Sequence, residues 1–275
     1  MREVSLAQVV EALLSVGVQA GDGLLVHSAL QYLGRPQGGV GIYYAALCAA
    51  LKGNGSGAGP TAIPETLSQG TLAVPAFNFG FARGEPYDPQ RTPAEGMGAF
   101  SEYIRQRPEA QRTTHPMQSL AVIGRHADDL ASRDTASAFD PGSAFERMLE
   151  LDFKLLLLGS DIQAVSMLHY SEQRAEVPYR YWKDFSGQVR LPSGWQTRTY
   201  RMYVRDLELD PHIELYPVQE ALQERGQWST RALNYGFVSA CRLVDFVAAL
   251  DELLRADPWR LVVNRPPKSL SLRTK

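Results

Sequence analysis

The chain has 275 residues, 44% of them apolar, enough to bury a large core without disulfides or a structural metal. Its 28 basic and 30 acidic residues leave a net charge of −2, which removes any electrostatic case for nucleic acid or an anionic membrane surface as partner. No apolar run approaches the roughly 18 residues of a membrane span, and Cys48 and Cys241, far apart and outside any CxxC, read as buried thiols of a reducing compartment.

Met1-Arg2-Glu3-Val4 passes straight into an amphipathic pattern, which is not that of a leader, so the expected location is cytoplasmic. Ser5 to Gln8 fits a capping box, and Leu6, Val9, Val10, Leu13 and Leu14 follow at helical spacing, with Gly17 as the stop. Gly21-Asp22-Gly23 turns into a short buried strand, Leu24-Leu25-Val26, and Gly38-Gly39 opens an apolar helix running to about Leu51. Residues 53–70, with five glycines or prolines among 53–60, read as a flexible insertion. Order resumes with a strand over 72–75, a polar loop over 78–95, a helix near 99–106 and a weak strand over 118–123. Ser143 to Glu146 is a second capping box. Four consecutive leucines, 155–158, bounded by Gly159, predict a central strand buried on both faces. A helix over 165–176, a small β-hairpin over 188–204, helices over 217–224 and 243–255, and a basic tail over 265–275 complete the pattern. Alternating strands and helices with no internal composition break predict one α/β domain over 1–275, its mixed sheet covered by helices.

Three segments could carry chemistry. On a helix, Ser166, His169 and Glu172 at i, i+3 and i+6 share one stripe, with Glu176 beyond. A neutral imidazole oriented by a carboxylate suits a general base, yet the same spacing equally fits a solvated helix face. A di-iron reading fails, because the Glu-x-x-His order is reversed and no second motif exists, so no metal is expected. In the second segment, Pro116 biases His115 towards extended backbone at a strand entrance, a position that also suits a purely structural histidine. The third runs from His27, Ser28, Ala29 and Leu30 to Gly38 and Gly39, a strand end leading to a helix N-terminus. It fits either an ordinary Gly-rich turn or a cradle for an anionic cofactor group. It is neither GxGxxG nor a P-loop, and no GxSxG elbow is present.

Taken in order, several motifs resemble the aminoglycoside 3-N-acetyltransferase, or antibiotic N-acetyltransferase, family. They are residues 24–30 (LLVHSAL) with Gly38-Gly39, 70–75 (GTLAVP), Tyr87-Asp88-Pro89 leading to Thr92-Pro93, and Gly98 with Glu102. Residues 112–124 (RTTHPMQSLAVIG), Gly142-Ser143, and 155–159 (LLLLG) with Leu168-His169 and Glu172 complete the set, spanning about residues 5–255. The resemblance implies a three-layer α/β/α fold, acetyl-coenzyme A as donor, direct transfer to a small-molecule amine, and a monomer or homodimer. It implies His169 as catalytic base and Glu172 as its support, with Ser166 where the family usually has threonine. It also implies a coenzyme site built from His27, Ser28, Ala29, Leu30, Gly38, Gly39 and Ser119, and acceptor contacts from His115, Asp88, Glu102 and Glu176. Ala29 stands where the family often has serine, and Ala144 where it often has proline. The acceptor stays open between an aminoglycoside and another amine of a biosynthetic pathway, with a non-catalytic coenzyme-binding regulator as the third reading.

Overall fold

The computed structural model describes residues 2–52, 67 and 69–266. Most of the 53–70 insertion and of the 265–275 tail therefore lies outside the described residues. The elements begin with β1 (Glu3–Val4), α1 (Leu6–Ser15), β2 (Gly23–Ser28), β3 (Arg35–Pro36), α2 (Gly41–Lys52) and β4 (Thr71–Pro75). They continue with α3 (Gly98–Arg105), β5 (Gln111–Arg112), β6 (Leu120–Gly124), α4 (Ala127–Ala131), α5 (Ala144–Glu150) and β7 (Lys154–Leu158). Last come α6 (Leu168–Arg174), β8 (Arg180–Leu191), β9 (Gly194–Arg205), α7 (Tyr216–Glu224), β10 (Ser229–Leu233), β11 (Gly236–Arg242) and α8 (Leu243–Ala256).

A seven-stranded sheet runs in the order β10-β11-β7-β2-β4-β6-β5. Its centre, β7-β2-β4, is parallel, and antiparallel strands flank it on both sides. The leucine run makes the middle of this sheet because alternate side chains serve opposite faces. Leu156 and Leu158, with Leu24 and Val26, pack against Val9 and Leu13 of α1, Leu47 of α2 and Phe100 of α3. Leu155 and Leu157, with Leu25, pack against Phe145 of α5, Tyr170 of α6 and Phe246 of α8. The result is the expected three-layer α/β/α arrangement.

Local signals act where the sequence puts them. Ser5 Oγ accepts from the Gln8 N–H at 3.3 Å while Gln8 Oε1 accepts from the Ser5 N–H at 2.9 Å, closing the capping box of α1. At α5, Ser143 Oγ accepts from the Glu146 N–H, but the Glu146 carboxylate reaches the Gly142 N–H, one residue before the cap. The helix expected over 165–176 is shorter, since residues 162–164 form a 3₁₀ turn and α6 begins only at Leu168.

The hairpin is longer than the 188–204 expected, with strands over Arg180–Leu191 and Gly194–Arg205 forming their own two-stranded sheet. Val189 and Tyr200 bury themselves on Phe81, Tyr87 and Met117. On the opposite face Trp182 and Trp195 stay exposed, which dilutes the alternation that would have marked the whole strand pair. The β10–β11 edge was not expected; β10 is almost wholly exposed, and its signal is the turn at Asn234-Tyr235 before Gly236. Among the described residues no helix is long and apolar enough to cross a membrane.

Leu156 is fully buried in the central strand, so Leu156→Ala should lower unfolding free energy by about 2–5 kcal/mol. Urea unfolding would measure it, and a loss under about 1 kcal/mol would contradict this packing.

Candidate active site

The parallel strands β2, β4 and β7 all end at one edge of the sheet, at Ser28, Pro75 and Leu158. Ligands of α/β sheets gather at such carboxyl ends. Gly159, just after β7, has φ +69°, and a Cβ there would sit 2.7 Å from the Ala29 carbonyl. Only glycine lets the two exits pass this closely. His27, on β2, then ties the exits together, because its Nε2 accepts from the Ser166 N–H at 3.1 Å with Ser166 Oγ also 3.1 Å away. Ser166 thus lies in the turn before α6 and not on its stripe, and it partners His27 instead of His169. Its carbonyl accepts the His169 N–H at 3.1 Å, which fixes the start of the helix.

His169 sits on the first turn of α6. Its Nδ1 lies 2.7 Å from Glu172 Oε2. The carboxylate sets the tautomer, with Nδ1–H donating and the Nε2 lone pair left over. Nε2 has no partner among the described residues, and 32% of the side chain is open to solvent. Phe139 meets the ring edge-on at 6.0 Å.

Glu172 is fully buried. Burial pushes its carboxyl upward, but the His169 hydrogen bond and the charge of Arg180 outweigh this and hold it below the usual carboxylate range. Arg180 Nε stands 2.8 Å from the same Oε2. The Arg180 N–H is not aimed along that contact, so charge, not a directed hydrogen bond, is what it supplies. No spacing rule pointed to Arg180, since the chain must reverse at 177–179 before it can meet α6.

The coenzyme candidates divide. Ser28, Ala29 and Leu30 are half-buried at the end of β2, and Gly38 and Gly39 are exposed with φ +92° and +80° before α2. Ile42 and Tyr43 donate back to Gly39 and Val40, and among the described residues the Val40 and Gly41 N–H groups have no backbone acceptor. Ser119 is buried, donates to the Ala76 carbonyl at 2.7 Å and accepts from Arg112 Nε at 3.1 Å.

The acceptor candidates are also placed differently from one another. His115 Nδ1 accepts from the Gln118 N–H at 3.2 Å, and its Nε2 lies 3.3 Å from the Arg201 carbonyl, so backbone engages both nitrogens. Glu102 receives Arg105 at 2.6 and 2.8 Å together with the Ala94 N–H, which holds it down to about 2. Asp88 caps the Gln90 N–H at 2.9 Å in the loop that Arg105 and Arg112 fasten. Glu176 is exposed, just past α6, with φ +46°. None of Asp88, Glu102 and Glu176 bonds to His169 among the described residues, and there no three His, Cys, Asp or Glu side chains gather as metal ligands.

A family model described as aminoglycoside 3-N-acetyltransferase matches residues 25–255. The chain is similar to an aminoglycoside N(3)-acetyltransferase IV from Salmonella sp, 30% identical over 267 residues, covering 95% of this chain and 91% of that protein. It is 33% identical over 177 residues to an aminoglycoside N(3)-acetyltransferase III, also from Salmonella sp, a match spanning 63% of this chain and 62% of that enzyme's length. The solved binary complex of AAC-IIIb with CoASH shares the fold, with TM-score 0.76 at 19% identity over 96% of this chain and 100% of that one.

Burial pushes both His27 and His115 down to about 4 from the ordinary 6.5, so both rings are neutral in the folded protein. The unfolded chain takes up those protons first as pH falls. Their stabilisation is therefore complete above pH 6.5 and is lost on the way down to 4, at about 1.4 kcal/mol per pH unit for each ring. Urea unfolding across that range should show His27→Gln losing one proton's worth of slope; identical slopes in variant and wild type would refute the assignment.

Proposed function

The chain belongs to the aminoglycoside 3-N-acetyltransferase family, and on that premise we propose that it transfers the acetyl group of acetyl-coenzyme A directly to an amine of an aminoglycoside, with His169 as general base. The observation that carries this is the 2.7 Å contact between His169 Nδ1 and a carboxylate that is itself fully buried, on a ring whose other nitrogen has no partner among the described residues.

An ammonium cannot attack a carbonyl. The acceptor needs a group that removes a proton as its nitrogen advances, and a neutral imidazole works near neutral pH. Nε2 of His169 takes that proton as the new C–N bond forms, and can return it to the departing sulfur once the C–S bond has broken. Glu172 keeps the ring in the tautomer with Nδ1 protonated and stabilises the imidazolium that appears in passing.

The coenzyme supplies an acetyl thioester. Residues fit for it are present: the left-handed Gly38-Gly39 pair opens the backbone ahead of α2, and a Cβ built on Gly39 would meet nothing within 4 Å. The Val40 and Gly41 N–H groups, without a backbone acceptor among the described residues and with the helix dipole behind them, suit a phosphate. Ser28, Ala29 and Leu30 lie on the chain leading there.

Replacing His169 by Ala should cut turnover by about 10² to 10⁴-fold while coenzyme binding persists. Thiol release from acetyl-coenzyme A, with gentamicin and then a panel of simple amines as acceptors, measures this. Near-normal turnover in the variant would end the base assignment. Release with simple amines but not with gentamicin would move the acceptor outside the aminoglycosides, and coenzyme binding without release to any amine would favour a regulator.

A further inference from the structure

We infer that Arg180, at the root of the β8–β9 hairpin, is a positioning residue that keeps Glu172 ionised and His169 neutral with its Nε2 lone pair free. The inference rests on the proposed function only for its consequence in turnover, not for its geometry. Arg180 and Glu172 are both withdrawn from water, with side chains 11% and 0% exposed, and their charged atoms approach to 2.8 Å. A buried carboxylate left with imidazole alone would have an uncompensated charge. The nearest remedy is a proton on His169, which would turn the base into its conjugate acid. With Arg180 present the pair sums to zero while the ring is neutral, and a proton on the ring leaves the cluster at +1. The guanidinium thus opposes premature protonation of His169 at the same time as it keeps Glu172 charged.

The surroundings hold Arg180 to this place. Its Nη1 donates to the Tyr203 carbonyl on β9 at 3.2 Å, and Tyr203 donates its hydroxyl to the Val177 carbonyl at 2.8 Å. The Asp206 N–H donates to the Tyr179 carbonyl at 3.0 Å. The hairpin root is therefore laced to the segment that leaves α6. Near the cluster stand the Tyr179 and Tyr203 phenols, both pushed up by burial and hence neutral, the Glu176 carboxylate at the surface, and Arg205, the ladder partner of Arg180, which is exposed and pairs with Asp210 at 3.4 Å. None of them can replace the cation, and Lys183 and Arg201, further along the hairpin, lie over the Phe185 and Trp182 rings.

The test uses the full chain with Arg180→Met and Arg180→Lys. The His169 ring is titrated by NMR without substrates, its signal assigned with His169→Ala, and kcat/KM for thiol release is followed against pH. Loss of a cation at this distance should raise the His169 midpoint by about 1 to 3 units in Arg180→Met and carry the acid limb of kcat/KM upward with it. Because the contact is one of charge, Arg180→Lys should keep both close to wild type. A midpoint unmoved in Arg180→Met, or a Lys variant as impaired as the Met variant, overturns the inference. Should Arg180→Met fail to fold, Arg180→Lys decides alone: a preserved midpoint supports the role, and a displaced one sinks it. If the midpoint shifts while His169→Ala retains turnover, the positioning role stands and the base assignment falls, so the two failures are distinguishable.

Discussion

The site depends on one buried negative charge. Glu172 is completely enclosed, yet the groups around it keep it ionised, and a carboxylate in that condition dictates what its neighbours do. It orients the His169 ring, selects the tautomer, and calls for a cation at the same oxygen. A glutamine of the same shape would fill the space but would neither enforce the tautomer nor stabilise an imidazolium. Three features meet at the carboxylate: the first turn of α6, the chain that leaves it through 177–179, and an arginine at the first position of a twelve-residue strand.

His27, His115 and His169 divide by environment, not by local sequence. His27 and His115 are enclosed without a compensating carboxylate bond, and burial keeps them neutral over most of the physiological range. They work as fixed hydrogen-bonding pieces, His27 joining the exits of β2 and β7 and His115 pinning the hairpin through the Arg201 carbonyl. His169 differs on both counts: it has a charged partner and an open edge. That combination lets a ring both keep its orientation and exchange a proton with something outside.

Much of the scaffold was legible because it follows from periodicity. Four leucines in a row admit few alternatives to a doubly covered strand, and Ser5 with Gln8 marks a helix start that the backbone obeys. The pairing of His169 with Glu172 was also legible, as an i,i+3 relation that survives even though α6 is shorter than expected. What escaped is long-range. Ser166 reads as a member of the helical stripe until the 3₁₀ turn at 162–164 puts it opposite His27, 139 positions earlier in the chain. Nor does the sequence show that Arg105, Gln106 and the Ala94 N–H already occupy the Glu102 carboxylate. Arg180 carries no local pattern at all.

Those gaps share a cause. Helical and strand patterns report which face of an element is apolar, whereas the ionisation of a buried group is decided by residues from other elements. His169 and Glu172 lie on one helix, but the charge that lets them act as a neutral base and its anionic support comes from the hairpin. Burial alone would drive Glu172 to its neutral form, and a neutral imidazole brings no charge to balance the carboxylate. Only a third group with a fixed positive charge leaves the carboxylate charged and the ring free. The hairpin is thus more than an appendage on the sheet: its first residue completes the electrostatics of a site that lies on another part of the fold.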